Sequence, residues 1–217
     1  MTTLDRPVDP LRLDPDLRER PGHRPVDADL LPPAPPTRPT DLLPVDADLF
    51  RSLLRRQAST VTVVTAVARR PDPTGRGRDL VPIRAGFTAT SFTSVSLDPP
   101  LVSFCLGVTS SSWPVLDRAE HVGVHLLGAG QTGVARIFAT SGIDRFAAHR
   151  AWTPGPFGVP LLDGVLVRLL CRVVHRVPAG DHTLVIAEPL ALGPGIDGDP
   201  LVHHRGSYTT PGTPVPA

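Results

Sequence analysis

A mainly β fold, a small antiparallel barrel carrying a few short helices, is predicted by three features of the sequence. Short runs dense in Val, Ile, Leu and Thr recur from residue 59 to residue 205, separated by clusters of Gly, Pro, Asp and Ser. Helical spacing of apolar residues is confined to short stretches after Asp46, at 112–119 and at 130–140. Strands and helices do not alternate as a doubly wound parallel sheet requires, which disfavours a Rossmann domain. The 217 residues suffice for one domain with a real core, over 45–217, preceded by an arm over 1–44.

The arm holds eleven of the 27 prolines. Proline at that density removes backbone donors and blocks helix, so the segment reads as extended or disordered unless a partner orders it. Folded structure begins near Asp46, where two aspartates precede Leu49, Phe50, Leu53 and Leu54 at helical spacing. Next come a strand at 59–68, a turn-rich stretch at 69–79 and a second strand at 80–90. Further strands are expected at 101–106, 121–127, 165–175, 182–192 and 200–205. The Gly- and Pro-studded stretch 151–164 reads as a loop.

Composition removes several function classes. Charge is balanced, with 22 basic against 21 acidic residues, and only 5% of residues are aromatic. Neither a basic stripe nor a stacking platform for DNA or RNA is present, so no nucleic-acid partner is expected. Every basic residue other than histidine is Arg. A Walker loop, a Schiff-base lysine and a pyridoxal-phosphate anchor are therefore excluded. Cys105 and Cys171 lie in apolar runs and are expected to be buried and reduced. No zinc spacing occurs, and His203-His204 cannot clamp a metal because neighbours on a strand point apart, so no metal site is expected. The N-terminus lacks a basic start with an apolar run, and no apolar stretch reaches ~18 residues, so a cytoplasmic protein without a membrane partner is expected.

Three segments carry chemistry. In Thr88-Ala-Thr-Ser-Phe-Thr-Ser-Val-Ser96, six of nine residues bear a hydroxyl, which suits a ligand rich in carbonyl, ribityl or phosphate oxygens or else an exposed strand edge. Thr109-Ser-Ser-Ser-Trp-Pro114 leads into an expected helix, where serines either cap it or join its N-terminus in holding an anion. Arg145-Phe146 pairs a guanidinium with an aromatic ring, either a phosphate clamp or a helix-end anchor. Asp181-His182 invites a triad, but adjacent residues on an extended chain face opposite ways, and no Gly-x-Ser-x-Gly elbow accompanies the pair.

In series, these residues resemble the flavin reductase family with the FMN-binding split-barrel fold, which includes reductase components of two-component flavin-dependent monooxygenases. The resemblance runs over about residues 46–210. It rests on Gly86 to Leu101, Gln131 with Phe138-Ala139, Arg145-Phe146, Gly158 to Gly164, Gly180-Asp-His182 and Pro200 to Tyr208. It implies a Greek-key split β-barrel, a homodimer with each flavin near the subunit interface, hydride transfer from NADH or NADPH to FMN or FAD, and a partner monooxygenase that receives reduced flavin. It assigns Thr88, Ala89, Thr90 and Ser91 to the isoalloxazine edge and ribityl chain, with Ser94, Val95 and Ser96 lining the same site. Ser110, Ser111 and Ser112 are assigned to the phosphate. His182 is assigned to the nicotinamide as the catalytic residue, with Arg145, Phe146 and Tyr208 as further neighbours. The chain departs from the family pattern at Ala187, where Gly is usual, at His125, where Asn is common, and at His203 or His204, where relatives often have Tyr or Phe. A flavin-binding barrel without turnover and a flavin-dependent oxidase of a small substrate are the alternatives.

Overall fold

The computed structural model describes residues 45–71 and 80–212; the Pro-rich arm expected over 1–44 lies outside the described residues, as do 72–79 and 213–217. Helix α1 (Ala47–Leu54) starts where the acidic pair predicts, because Asp46 caps it, accepting from the backbone N–H of Asp48 and Leu49 at 3.0 and 2.9 Å. No residue of α1 is buried.

The expected strand at 59–68 is two strands in different sheets. β1 (Ser59–Thr60) pairs with β11 (Val202–His204), and β11 with β12 (Ser207–Thr209), forming a three-stranded sheet. β2 (Thr62–Pro71) belongs to a seven-stranded antiparallel sheet of order β3-β2-β6-β9-β10-β5-β4. Its other members are β3 (Leu80–Ala89), β4 (Thr93–Leu97), β5 (Pro100–Gly107), β6 (His121–Leu126), β9 (Val167–Ala179) and β10 (His182–Gly193).

The connectivity forces this sheet to curl. β3 and β4 stand at opposite edges, yet only Thr90, Ser91 and Phe92 join them. Seven flat strands would span about 29 Å, whereas four chain steps reach about 14 Å. The two edges therefore approach each other, and the Ser91 hydroxyl ties the segment between them to β5 by accepting from Cys105 N–H at 2.9 Å. This is the mainly β Greek-key split barrel, and its seam is the hydroxyl-rich segment.

Val64, Phe87, Phe104, Val122, Cys171 and Val185 fill the barrel interior. A second cluster, including Val63, Phe138, Leu162 and Leu201, lies between the outer face of β2 and helix α3 (Thr132–Ala139). Both faces of β2 are thus covered, which explains why its residues are buried in succession from Thr62 to Ala66. Burial pushes the Cys171 thiol up to about 12, so it stays a neutral core group, while Cys105 is half-buried and both are unpaired.

Two further expectations are corrected. The stretch 151–164 holds a hairpin of β7 (Trp152–Pro154) and β8 (Pro160–Leu162), hidden by the density of Gly and Pro. The helix expected over 112–119 shrinks to α2 (Trp113–Leu116), and α4 (Arg145–Ala148) is equally short.

Candidate functional site

The seam and the β9–β10 hairpin together position the predicted residues. Gly180 turns the hairpin with φ +63, a conformation that glycine adopts without strain. Asp181 lies in that turn rather than on the strand, so the alternation that should separate it from His182 does not apply. His182 Nδ1 lies 2.7 Å from Asp181 Oδ1. A bond to a carboxylate places the imidazole proton on Nδ1, leaving Nε2 free. The same bond holds the Asp181 carboxyl below its ordinary value.

His182 borders a cavity of about 690 Å³, the size of a small-molecule site. Thr90 and Ser91 line it from the seam, His203 from β11, and Phe50 and Leu54 from α1. Opposite His182 in the β10–β5 register stands Gly107, which keeps the neighbouring surface open.

A second group gathers Ser110, Ser111, Ser112 and Arg145. Arg145 donates from Nη2 to Ser111 Oγ at 3.2 Å and from Nη1 to Ser112 Oγ at 3.4 Å. Its Nε is buried with no partner among the described residues. Burial pulls the guanidinium below its ordinary value, a cost that an adjacent anion would offset. The serines do not cap α2: Ser112 Oγ donates to the carbonyl of Gly86 at 3.0 Å, and Ser110 Oγ accepts from Ser112 N–H at 3.3 Å. The four-residue α2 is too short for a dipole argument, so Arg145 supplies the positive charge.

The remaining predicted residues have other surroundings. Thr88 turns its hydroxyl to the carbonyl of Ala135 at 2.7 Å, and Ala89 is buried in the barrel interior. β4 has a bulge between Ser94 and Ser96 that leaves Val95 unpaired and half-exposed. Phe146 packs edge-on between Phe138 and Trp152, and Tyr208 against His203. Ala187 and His125 are fully buried in the barrel wall and line neither the cavity beside His182 nor the group around Arg145. Sequence reasoning missed the α1 residues over the cavity, since α1 carries no motif; its apolar stripe, left unburied, was the available signal.

The arrangement fits a flavin. Hydroxyls and an open histidine nitrogen at the seam, with a serine-held guanidinium whose Nε has no partner among the described residues, match a ligand with a heteroaromatic ring, a hydroxylated chain and a phosphate. Among the described residues no group of His, Cys, Asp and Glu could hold a metal ion, and no helix is long and apolar enough to cross a membrane.

Comparison with known proteins gives the same family. The chain is 42% identical over 170 residues to an NADH:FMN oxidoreductase of Rhodococcus erythropolis, covering 76% of this chain and 82% of the relative. It is 34% identical over 167 residues to the flavin-dependent monooxygenase reductase subunit HsaB of Mycobacterium tuberculosis, covering 76% and 82%. Its structure superposes on a flavin reductase domain protein from Arthrobacter with a TM-score of 0.66 at 32% identity, covering 78% of this chain and 98% of that one. The model of the flavin reductase like domain matches residues 54–212, and the chain belongs to that family.

Proposed function

We infer that the chain is an NADH-dependent flavin reductase that supplies reduced flavin to a separate flavin-dependent monooxygenase. The observation that carries this reading is the cavity where His182, aimed by Asp181, meets Thr90 and Ser91 at the barrel seam. Flavin, when bound, supplies the ring that accepts a hydride from reduced nicotinamide. The chain's residues bind and orient. His182 Nε2 offers an acceptor for the amide N–H of a nicotinamide, Thr90 and Ser91 offer hydroxyls to the flavin, and Arg145 with Ser111 holds a phosphate. Phe50 and Leu54 of α1 give the cavity an apolar side, against which a flavin ring can pack. Ser94, Ser96 and the half-exposed Val95 extend the same surface along β4. We place the reaction in the cytoplasm, where Cys105 and Cys171 would stay reduced.

Purified protein is expected to oxidise NADH only when FMN or FAD is added, with rates that saturate in flavin. Flavin binding without NADH oxidation would instead support a barrel that binds without turnover.

The functional unit in this proposal is a homodimer. Val95 and Leu97 on β4 and Leu190 and Leu192 on β10 are large apolar side chains 45–89% exposed, at the same end of the β10-β5-β4 part of the sheet. Sedimentation is expected to give a dimer, which Leu97→Asp weakens; a monomer at micromolar concentration would contradict it.

A further inference from the structure

A second cleft, of about 640 Å³, opens on the outer wall of the barrel where β2, β3 and β6 meet the turn between β7 and β8. Arg69, Arg84, Arg118, Glu120, His121 and Phe157 line it, three guanidiniums against one carboxylate. Arg118 has no ion-pair partner among the described residues. Phe157 and His121 stack with ring centroids 3.7 Å apart and planes 9° from parallel. His121 covers one face of the Phe157 ring, yet Phe157 is 62% exposed. Phe157 also has φ +59, which costs a side-chain-bearing residue roughly 1–3 kcal/mol. A large apolar ring held in a strained backbone and presented to solvent stabilises nothing in the free fold beyond its contact with His121.

The chemistry of the cleft is an aromatic platform beside guanidiniums, the combination that takes a heteroaromatic base and a phosphate. Its position names the source of that ligand. Pro82 and Arg84 line both this cleft and a neighbouring cavity of about 320 Å³ that reaches Gly86 and Arg145. The two cavities therefore adjoin, and between them they extend from Arg145 past Arg84 to the Phe157 ring. Arg84, its guanidinium 5.1 Å from the centre of the Trp152 ring, stands at the junction.

We propose that this cleft is an adenylate subsite, which binds the adenosine 5′-phosphate end of FAD when the rest of the flavin lies along the seam. The proposal rests on the flavin reductase reading and deepens it: FAD gains contacts that FMN lacks. NADH carries the same adenosine phosphate, but its reacting ring belongs at His182, on the cavity under α1, and no residue of that cavity borders the cleft.

The test uses the full chain and Phe157→Gly, which removes the ring while suiting the positive φ, together with Arg118→Ala. The KM of FAD relative to that of FMN is expected to rise roughly tenfold in Phe157→Gly, the loss of one base-stacking contact. In parallel, the KM of NADH is compared with that of reduced nicotinamide mononucleotide. A change confined to that pair would keep the adenylate subsite and move its ligand from FAD to the donor. Ratios within twofold of the wild type for both pairs would overturn the proposal. If the wild type turns over neither flavin, the reductase reading fails, and calorimetric titration with 5′-AMP decides the cleft separately. Binding lost in Phe157→Gly supports the subsite, and absent or unchanged binding overturns it.

Discussion

Replacing His182 with alanine is expected to lower kcat/KM for NADH by about 10- to 100-fold, the loss that follows when a bound reactant is no longer held in its reactive pose. The protein should fold normally, because the His182 side chain is half-exposed and belongs to neither apolar cluster. Asp181→Asn should have a smaller effect in the same direction. An amide accepts the Nδ1 proton less strongly than a carboxylate does, so the ring keeps its place less often. His182→Gln, which can still present an acceptor oxygen, should recover part of the loss, whereas the KM for flavin should move little in all three variants. An alanine variant within twofold of the wild type would remove His182 from the nicotinamide site.

The second large effect concerns acid stability and a residue that does not touch the site. His125 is fully buried, with Nδ1 3.0 Å from the Val63 carbonyl and Nε2 accepting from Leu162 N–H at 3.0 Å. Only the neutral ring can donate on one side and accept on the other, so protonation would set N–H against N–H. Burial first, and the positive charge of Arg168 in addition, push the ring's pKa down to about 4; the bond to Val63 opposes them. An unfolded histidine titrates near 6.5, so below that pH the unfolded chain takes up a proton that the native chain refuses. Stability is therefore complete above pH 6.5 and falls as pH drops toward 4, by about 2 kcal/mol at pH 5 and about 3 kcal/mol at the end of the window. His125→Asn should cost about 1–3 kcal/mol at pH 7, because the Leu162 N–H loses its acceptor. It should also remove this share of the pH dependence. Urea unfolding of both proteins at pH 7 and pH 5 measures the difference; equal slopes would show that His125 does not carry it.

How much of this was legible depended on whether the cause was local. The Val- and Thr-rich strands, the α1 cap at Asp46 and the hydroxyl-rich seam are read from neighbouring residues, and the structure has them within a few positions. The division of 59–68 between two sheets was not legible. Nothing in Ser59 to Val63 signals that Val61 N–H bonds the Leu201 carbonyl, 140 residues away in sequence. The β7–β8 hairpin was masked by Gly155, Pro156 and Gly158, which read as loop although they form its turn. Asp181 and His182 meet because Gly180 bends the chain, a detail the strand rule overlooks. The grouping of Arg145 with Ser111 joins residues 34 apart in sequence, and that of His121 with Phe157 joins residues 36 apart, with no motif in either case. Only the folded barrel brings them together.

The central claim is that this barrel passes reducing equivalents from NADH to flavin, and anaerobic mixing of the protein with NADH and oxidised flavin tests it most directly. With oxygen absent, loss of flavin absorbance should match NADH consumed one for one, and its rate should scale with the amount of protein. Flavin that stays oxidised over many minutes, in the presence of folded protein and excess NADH, would contradict the account.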